Sequence, residues 1–242
     1  MIIIPARLGS TRFPEKVLAE IGGYPMVIAT AKAVETIDRV AVATDSQKVA
    51  DICSAYGIRA VMTSREHGSG TDRINEAATR LGLDENEIVI NVQADEPFIE
   101  PEVVEKLKTL VKKHVKDDSV MICSAYKSIT PVEAEDPNMV KVVTDESDFA
   151  LYFSRSAVPY DRDGGFTEFK GHIGIYGFRR KMLERFCSLP PSLLEQTEKL
   201  EQLRALSHGF EIAMCRVETE SFGIDTPEDL QRAVEKIEGA KS

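Results

Sequence analysis

The first half of the chain alternates short β-branched runs with segments of helical periodicity, and that rhythm leaves few folds open. Strands buried on both faces read as unbroken apolar stretches, and parallel neighbours need a crossover between them, usually a helix. "MIII" opens the series, and "RVAVATD" at 39–45 predicts a second strand. A helix follows, with Ser46 as N-cap, Val49, Ile52, Cys53 and Tyr56 on one face, and Gly57 at its end. "IRAVMTS" is a third strand; after "HGSGT", Ile74, Ala77, Ala78 and Leu81 mark a third helix that closes at Gly82. "EIVINVQ" is the fourth strand, followed by a helix over roughly 101–115 and a strand at "SVMICSAY".

Beyond Tyr126 the rhythm changes. "VKVVTD", "FALYFSRS" and "HIGIYGF" read as strands without intervening helices, which predicts an antiparallel insertion. Residues 179–208 return to helix, including "EQTEKLEQLRALSHG", and a last strand lies near "EIAMCRVE". "DTPEDLQRAVEKI" carries a strong helix start, with Thr226 as cap, Pro227 at the first position and Asp229 completing a capping-box pattern. The fold class is therefore α/β, a mainly parallel central sheet with helices on both faces and a smaller antiparallel subdomain.

Charge narrows the function classes. A formal charge of −10, from 40 acidic and 30 basic residues, argues against a sequence-independent nucleic-acid binder, which needs a positive field. Phosphates can still be bound if a divalent cation and a few placed cations offset their charge. Cys53, Cys123, Cys187 and Cys215 form no C-x-x-C pair, which fits buried thiols in a reducing compartment. The amino terminus, with three isoleucines and no preceding basic region, predicts neither a signal peptide nor a membrane span, so a cytoplasmic protein is expected.

Four stretches could carry chemistry. "PARLGSTRFPEK" puts Arg7, Arg12 and Lys16 after the first strand, where open α/β folds bind ligands; it is either an anion-binding loop or a solvated one. It lacks both G-x-x-x-x-G-K-[ST] and G-x-G-x-x-G. "GSGTDR" is a Gly-rich loop leading into a helix, whose N–H groups and the hydroxyls of Ser69 and Thr71 either hold a nucleotide or make an ordinary N-cap. Asp95 in "NVQADEP" and Asp225 each follow a strand, and two such carboxylates suit Mg²⁺; the plainer readings are an exposed turn and helix-dipole compensation. Arg155 stands among aromatic and apolar residues, so it either pairs internally or receives a carboxylate. His172, Tyr176, Glu201 and Gln202 lie in strand-like and helical segments where structural roles are the default.

Taken in order, "IIIPARLGSTRFPEK", "HGSGTDR", "VINVQADEPFI", "NMVKVVTD", "ALYFSRSAVPY", "GHIGIYGF", "EKLEQLRAL" and "GIDTPEDL" resemble the 3-deoxy-D-manno-octulosonate (Kdo) cytidylyltransferase family over nearly the whole chain. The resemblance implies a Rossmann-like nucleotidyltransferase fold, one domain over 1–242 with a sugar-binding and dimerisation subdomain within about 127–210, and a homodimer. It implies Mg²⁺-dependent transfer of CMP from CTP to the anomeric hydroxyl of Kdo, with pyrophosphate released, for lipopolysaccharide biosynthesis. By motif position, Arg7, Arg12 and Lys16 would bind the triphosphate, and Ser69, Gly70, Thr71 and Arg73 the nucleotide. Asp95 and Asp225 would ligate Mg²⁺; with Lys16 and Arg12 they make up the catalytic set. Gln93, Arg155, His172, Tyr176, Glu201 and Gln202 would form the sugar pocket, Arg155 meeting the carboxylate. Two positions depart from the family pattern: Glu15 stands where the first loop carries glycine, and Ala94 where the strand-four motif does. Glu15 is expected to bring negative charge near the phosphate contacts; Ala94 is milder provided its backbone does not need a positive φ.

Overall fold

Each β-branched run of the first half becomes a strand in the computed structural model, which describes residues 1–9, 13–166 and 168–239. In chain order the elements begin β1 (Ile2–Ala6), β2 (Glu20–Ile21), β3 (Tyr24–Pro25), α1 (Met26–Val34), β4 (Val40–Thr44), α2 (Gln47–Ala55) and β5 (Arg59–Met62). There follow α3 (Gly70–Arg80), β6 (Ile88–Asn91), α4 (Pro101–Lys113), β7 (Val120–Ile129), α5 (Pro131–Ala134), β8 (Lys141–Thr144) and β9 (Ala150–Ser154). The last are β10 (Phe169–Arg179), α6 (Arg180–Ser188), α7 (Leu193–Glu198), α8 (Leu203–Ser207), β11 (Glu211–Arg216) and α9 (Pro227–Gly239). The chain divides into two compact units: Met1–Leu83 with Val89–Val104 and the stretch from Glu220 onward, and Asp84–Ile88 with Glu105–Thr219.

The first unit holds a parallel sheet in the order β6-β1-β4-β5. Ile2, Ile3 and Ile4 are fully buried, as are Ala41, Val42, Ala43, Val89 and Ile90 on the flanking strands, so both faces are covered. Helices α1, α2 and α3 supply the crossovers. Ser46 and Ser69 cap α2 and α3, their side chains accepting the N–H groups of Val49 and Asp72. Sequence periodicity gave no signal for α1, because its buried residues Met26, Val27, Ile28, Thr30, Ala31 and Val34 surround much of the helix instead of forming a stripe. From β1 the chain steps outward to β4 and β5, then returns to the opposite side of β1 as β6. That reversal leaves a crevice at the carboxyl ends of β1 and β6, where ligands bind in sheets of this kind.

The second unit pairs β7 antiparallel to β10 and parallel to β11, with β8 antiparallel to both β10 and β9. Strands β8, β9 and β10 thus form an antiparallel array with β7, while β11 joins β7 in parallel, and the short capped helix α5 precedes β8. Within the helical region expected over 179–208, the stretch "EQTEKLEQLRALSHG" is broken. Lys199 adopts φ 56° and ends α7, and α8 starts only at Leu203. The break has a tertiary cause: the Glu198 carboxylate accepts the Ser154 hydroxyl at 2.7 Å and the Arg155 N–H at 3.0 Å, while the Glu198 carbonyl accepts Arg155 Nε at 2.8 Å.

Candidate active site

At the reversal point of the first unit lies a cleft of about 310 Å³. Pro5 and Arg7 reach it from β1, Gln93, Ala94 and Asp95 from β6, and His67 to Gly70 and Arg73 from the start of α3. Lys16, Val17 and Asp225 complete the wall. The sheet order, together with the segment before α9 whose Ile224 N–H donates to the Asp95 carbonyl at 2.9 Å, brings together residues more than two hundred positions apart.

Lys16 is the centre of charge. Its Nζ lies 2.5 Å from Asp95 Oδ2 and 2.6 Å from Asp225 Oδ1, so the two carboxylates face one another across a single cation. Burial alone pushes the Lys16 pKa down, but Asp95 and Asp225 outweigh it and hold it above the ordinary lysine value. Asp225 is not the cap of α9: the Asp229 carboxylate accepts the N–H groups of Asp225 and Thr226 and the Thr226 hydroxyl, and Thr226 Oγ1 accepts the Asp229 N–H at 3.2 Å. That leaves the Asp225 side chain aimed at Lys16. A pair of hard oxygen donors around one cation position suits Mg²⁺, which takes one or two carboxylates and completes its shell with water and phosphate oxygens. No group of three or more His, Cys, Asp or Glu side chains placed to hold a metal ion occurs among the described residues.

The Gly-rich loop serves cap and wall at once. Ser69 Oγ accepts the Asp72 N–H at 3.1 Å and donates to Asp72 Oδ2 at 2.8 Å, the ordinary N-cap arrangement. A Cβ on Gly70 would sit 3.2 Å from Pro5 Cγ, so glycine lets α3 start close against β1; Gln93 Oε1 lies 3.9 Å from the same point. Thr71 is fully buried. The Arg73 guanidinium, also buried, donates to Thr63 Oγ1 at 2.6 Å, the Ser64 carbonyl at 3.2 Å and Asp45 at 3.1 Å, tying the ends of β4 and β5 to the cleft wall. His67, which sequence reasoning passed over, lines the cleft with Nε2 2.5 Å from the Glu76 carboxylate. Burial pushes the Glu76 carboxyl up, but the Ser64 N–H, His67 and Arg80 bring it down to about 2, so the imidazole rests against an anion. The only signal for His67 was its place just before the Gly-rich turn. Arg12 lies outside the described residues. Glu15 sits at φ 56° and reaches Lys48 at 2.7 Å, so its charge meets another cation instead of standing unopposed by the cleft. Ala94 has no positive φ.

The second unit gathers a different polar group. His172 on β10 is packed between the rings of Phe153 and Tyr176, with centroids 5.0 and 5.5 Å away, and its Nε2 lies 2.9 Å from Ser124 Oγ. Burial lowers the His172 pKa to about 3, so the ring is neutral. The Tyr176 hydroxyl donates to Gln202 Oε1 at 3.2 Å, and its pKa is raised, first by burial and then by the charge of Glu201. Gln202 is 2% exposed, and its Nε2 has no hydrogen-bond partner among the described residues, a donor suited to a ligand oxygen. Arg155 pairs internally: its guanidinium donates to the carbonyls of Pro137 at 2.9 Å, Glu198 at 2.8 Å and Lys199 at 3.5 Å. His172, Tyr176 and Gln202 are thus joined, while Arg155 is held by backbone.

Lys16 stands between two carboxylates where the parallel sheet reverses, the place where open α/β sheets hold ligands, and comparison with known proteins identifies the class. The cytidylyltransferase family profile matches residues 1–217, and the chain belongs to that family. It is 60% identical to the 3-deoxy-manno-octulosonate cytidylyltransferase of a Nitratiruptor species, covering 96% of this chain and 97% of the relative. The enzyme of that name from Wolinella succinogenes is 53% identical over 97% of this chain and 98% of its own. Among solved structures, CMP:2-keto-3-deoxy-manno-octonic acid synthetase in complex with CTP superposes with a TM-score of 0.90 at 38% identity, covering 99% of this chain and 98% of the other. A cytidylyltransferase from Leptospira borgpetersenii, at 16% identity and a TM-score of 0.61 over 99% and 94% of the two chains, shares the fold.

Proposed function

We propose that the protein transfers CMP from CTP to the anomeric hydroxyl of Kdo, releasing pyrophosphate, with Mg²⁺ as cofactor. The observation that carries this reading is the convergence of Asp95 and Asp225 on one cation position in the cleft where β1 and β6 end. The identity of nucleotide and sugar rests on the named relatives. The anomeric oxygen attacks the α-phosphorus in line, the bond from that phosphorus to the β-phosphate oxygen breaks, and no covalent enzyme intermediate forms. Mg²⁺ held by Asp95 and Asp225 would neutralise charge on the α-phosphate and the departing pyrophosphate. Arg7, Arg12 and Lys16 bring positive charge to the triphosphate, and the loop of Ser69, Gly70, Thr71 and Arg73 borders the nucleoside. By the family's motif positions His172, Tyr176, Glu201 and Gln202 would bind the sugar, with Gln202 Nε2 offering an open donor, and Gln93 is assigned to it as well; Arg155 would meet the sugar carboxylate only by exchanging the backbone carbonyls that hold its guanidinium. Positioning and preorganised charge supply the catalysis.

In the same reading the protein is a cytoplasmic homodimer that feeds lipopolysaccharide assembly, with the array of β7 to β10 serving sugar binding and dimerisation. The exposed side chains of Leu151, Tyr160 and Phe166 support the dimer. No helix among the described residues is long and apolar enough to cross a membrane. The test is pyrophosphate release with CTP, Mg²⁺ and Kdo, with other nucleotides and acidic sugars as controls. Release that depends on all three components supports the reading, and release with sialic acid but not Kdo overturns the choice of sugar.

A further inference from the structure

The segments that carry Asp95 and Asp225 run side by side in the first unit, and their contacts form a clasp. The Asp95 carbonyl accepts the Ile224 N–H at 2.9 Å, and Glu100 Oε1 accepts the Glu220 N–H at 3.1 Å. Phe98 and Phe222 pack with ring centroids 5.7 Å apart against the core of Ile21, Met26, Ile224 and Ala233. Between these contacts stands Glu96. Its Oε2 accepts the Ser221 hydroxyl at 2.8 Å, and its Oε1 lies 3.4 Å from where a Cβ on Gly223 would be, so the carboxylate rests against the backbone leading to Asp225.

We infer that Glu96 is a positioning residue: through its hydrogen bond from Ser221 it fixes the segment bearing Asp225 against the one bearing Asp95, and so sets the separation of the two carboxylates that receive the divalent cation. The inference rests on the metal reading above. Its physical basis is that, among the described residues, the two carboxylates have no third protein ligand beside them to hold their geometry. The spacing of the pair must come from whatever locks the two backbones together. A side-chain hydrogen bond that ties the two segments together is enough for that role.

The test is Mn²⁺ binding followed by electron paramagnetic resonance in the presence of CTP, with thermal unfolding measured on each variant. Glu96→Ala and Ser221→Ala are each expected to weaken Mn²⁺ binding about tenfold. The double variant should be no weaker than the poorer single one, because both remove the same bond. Glu96→Gln keeps an acceptor for the Ser221 hydroxyl and should retain binding. Wild-type affinity in folded Glu96→Ala or Ser221→Ala overturns the inference, as does Glu96→Gln binding as weakly as Glu96→Ala, which would assign the effect to charge. Should Glu96→Ala fail to fold, Ser221→Ala breaks the same bond from the other side. Failure of the wild-type protein to bind Mn²⁺ with CTP would instead overturn the metal reading beneath it.

Discussion

At Glu15 the backbone lies at φ 56° and ψ 20°, the left-handed region that a side chain enters at a cost and glycine enters freely. Its partner Lys48 is about as exposed as Glu15 itself, at 55% and 53%, so their ion pair returns little. Glu15→Gly is therefore expected to raise stability by about 0.5–1 kcal/mol, read from denaturant midpoints at unchanged slope, with Lys16 left in place. An unchanged or lower midpoint would show that the Lys48 pair outweighs the backbone term. Asp95 tests the chemistry at the same scale. Asp95→Asn keeps the shape and removes the charge, so the fold should persist while turnover falls by about a hundredfold or more. Near-normal turnover at limiting Mg²⁺ would remove Asp95 from the metal site.

Among the elements, β10 carries the clearest pH dependence. Unfolded, the His172 imidazole gains its proton near 6.5; folded, burial delays that to about 3. Between those values the unfolded chain holds more protons, so stability falls as pH is lowered through this window. Above about pH 5.5, where Glu76 is ionised in both states, His172→Gln should show a flatter dependence of unfolding free energy on pH than the wild type. Equal slopes would mean that His172 is protonated in the fold. The elements also show what a sequence exposes. β1, β4 and β6 were legible because buried parallel strands are unbroken apolar runs, and the Ser46 and Thr226 caps because capping is local chemistry. Helix α1 was not, being apolar around most of its girth, and the break at Lys199 was not, because its cause is Arg155 and Ser154 more than forty positions away. In the site, Asp95 and Asp225 were readable as acids after strands. Lys16 between them, His67 on Glu76 and the link from Glu96 to Ser221 depend on contacts that no local pattern encodes.

For the whole molecule, a net charge of −10 gives little attraction to polyanions, and the proposed phosphate contacts Arg7 and Lys16 line a cleft that also holds Asp95 and Asp225. The proposed homodimer predicts a light-scattering mass in solution of twice the chain's 26.8 kDa, and a mass of one chain at micromolar concentration would contradict it. The central claim concerns the bond that forms. Phosphorus NMR of the protein with CTP, Kdo and Mg²⁺ follows it directly: the α-phosphorus should leave the triphosphate and appear as one phosphodiester resonance, in equal amount with pyrophosphate. Chelation of the metal should stop both. Unchanged CTP, or its hydrolysis to CMP and pyrophosphate without a sugar phosphodiester, would contradict the account.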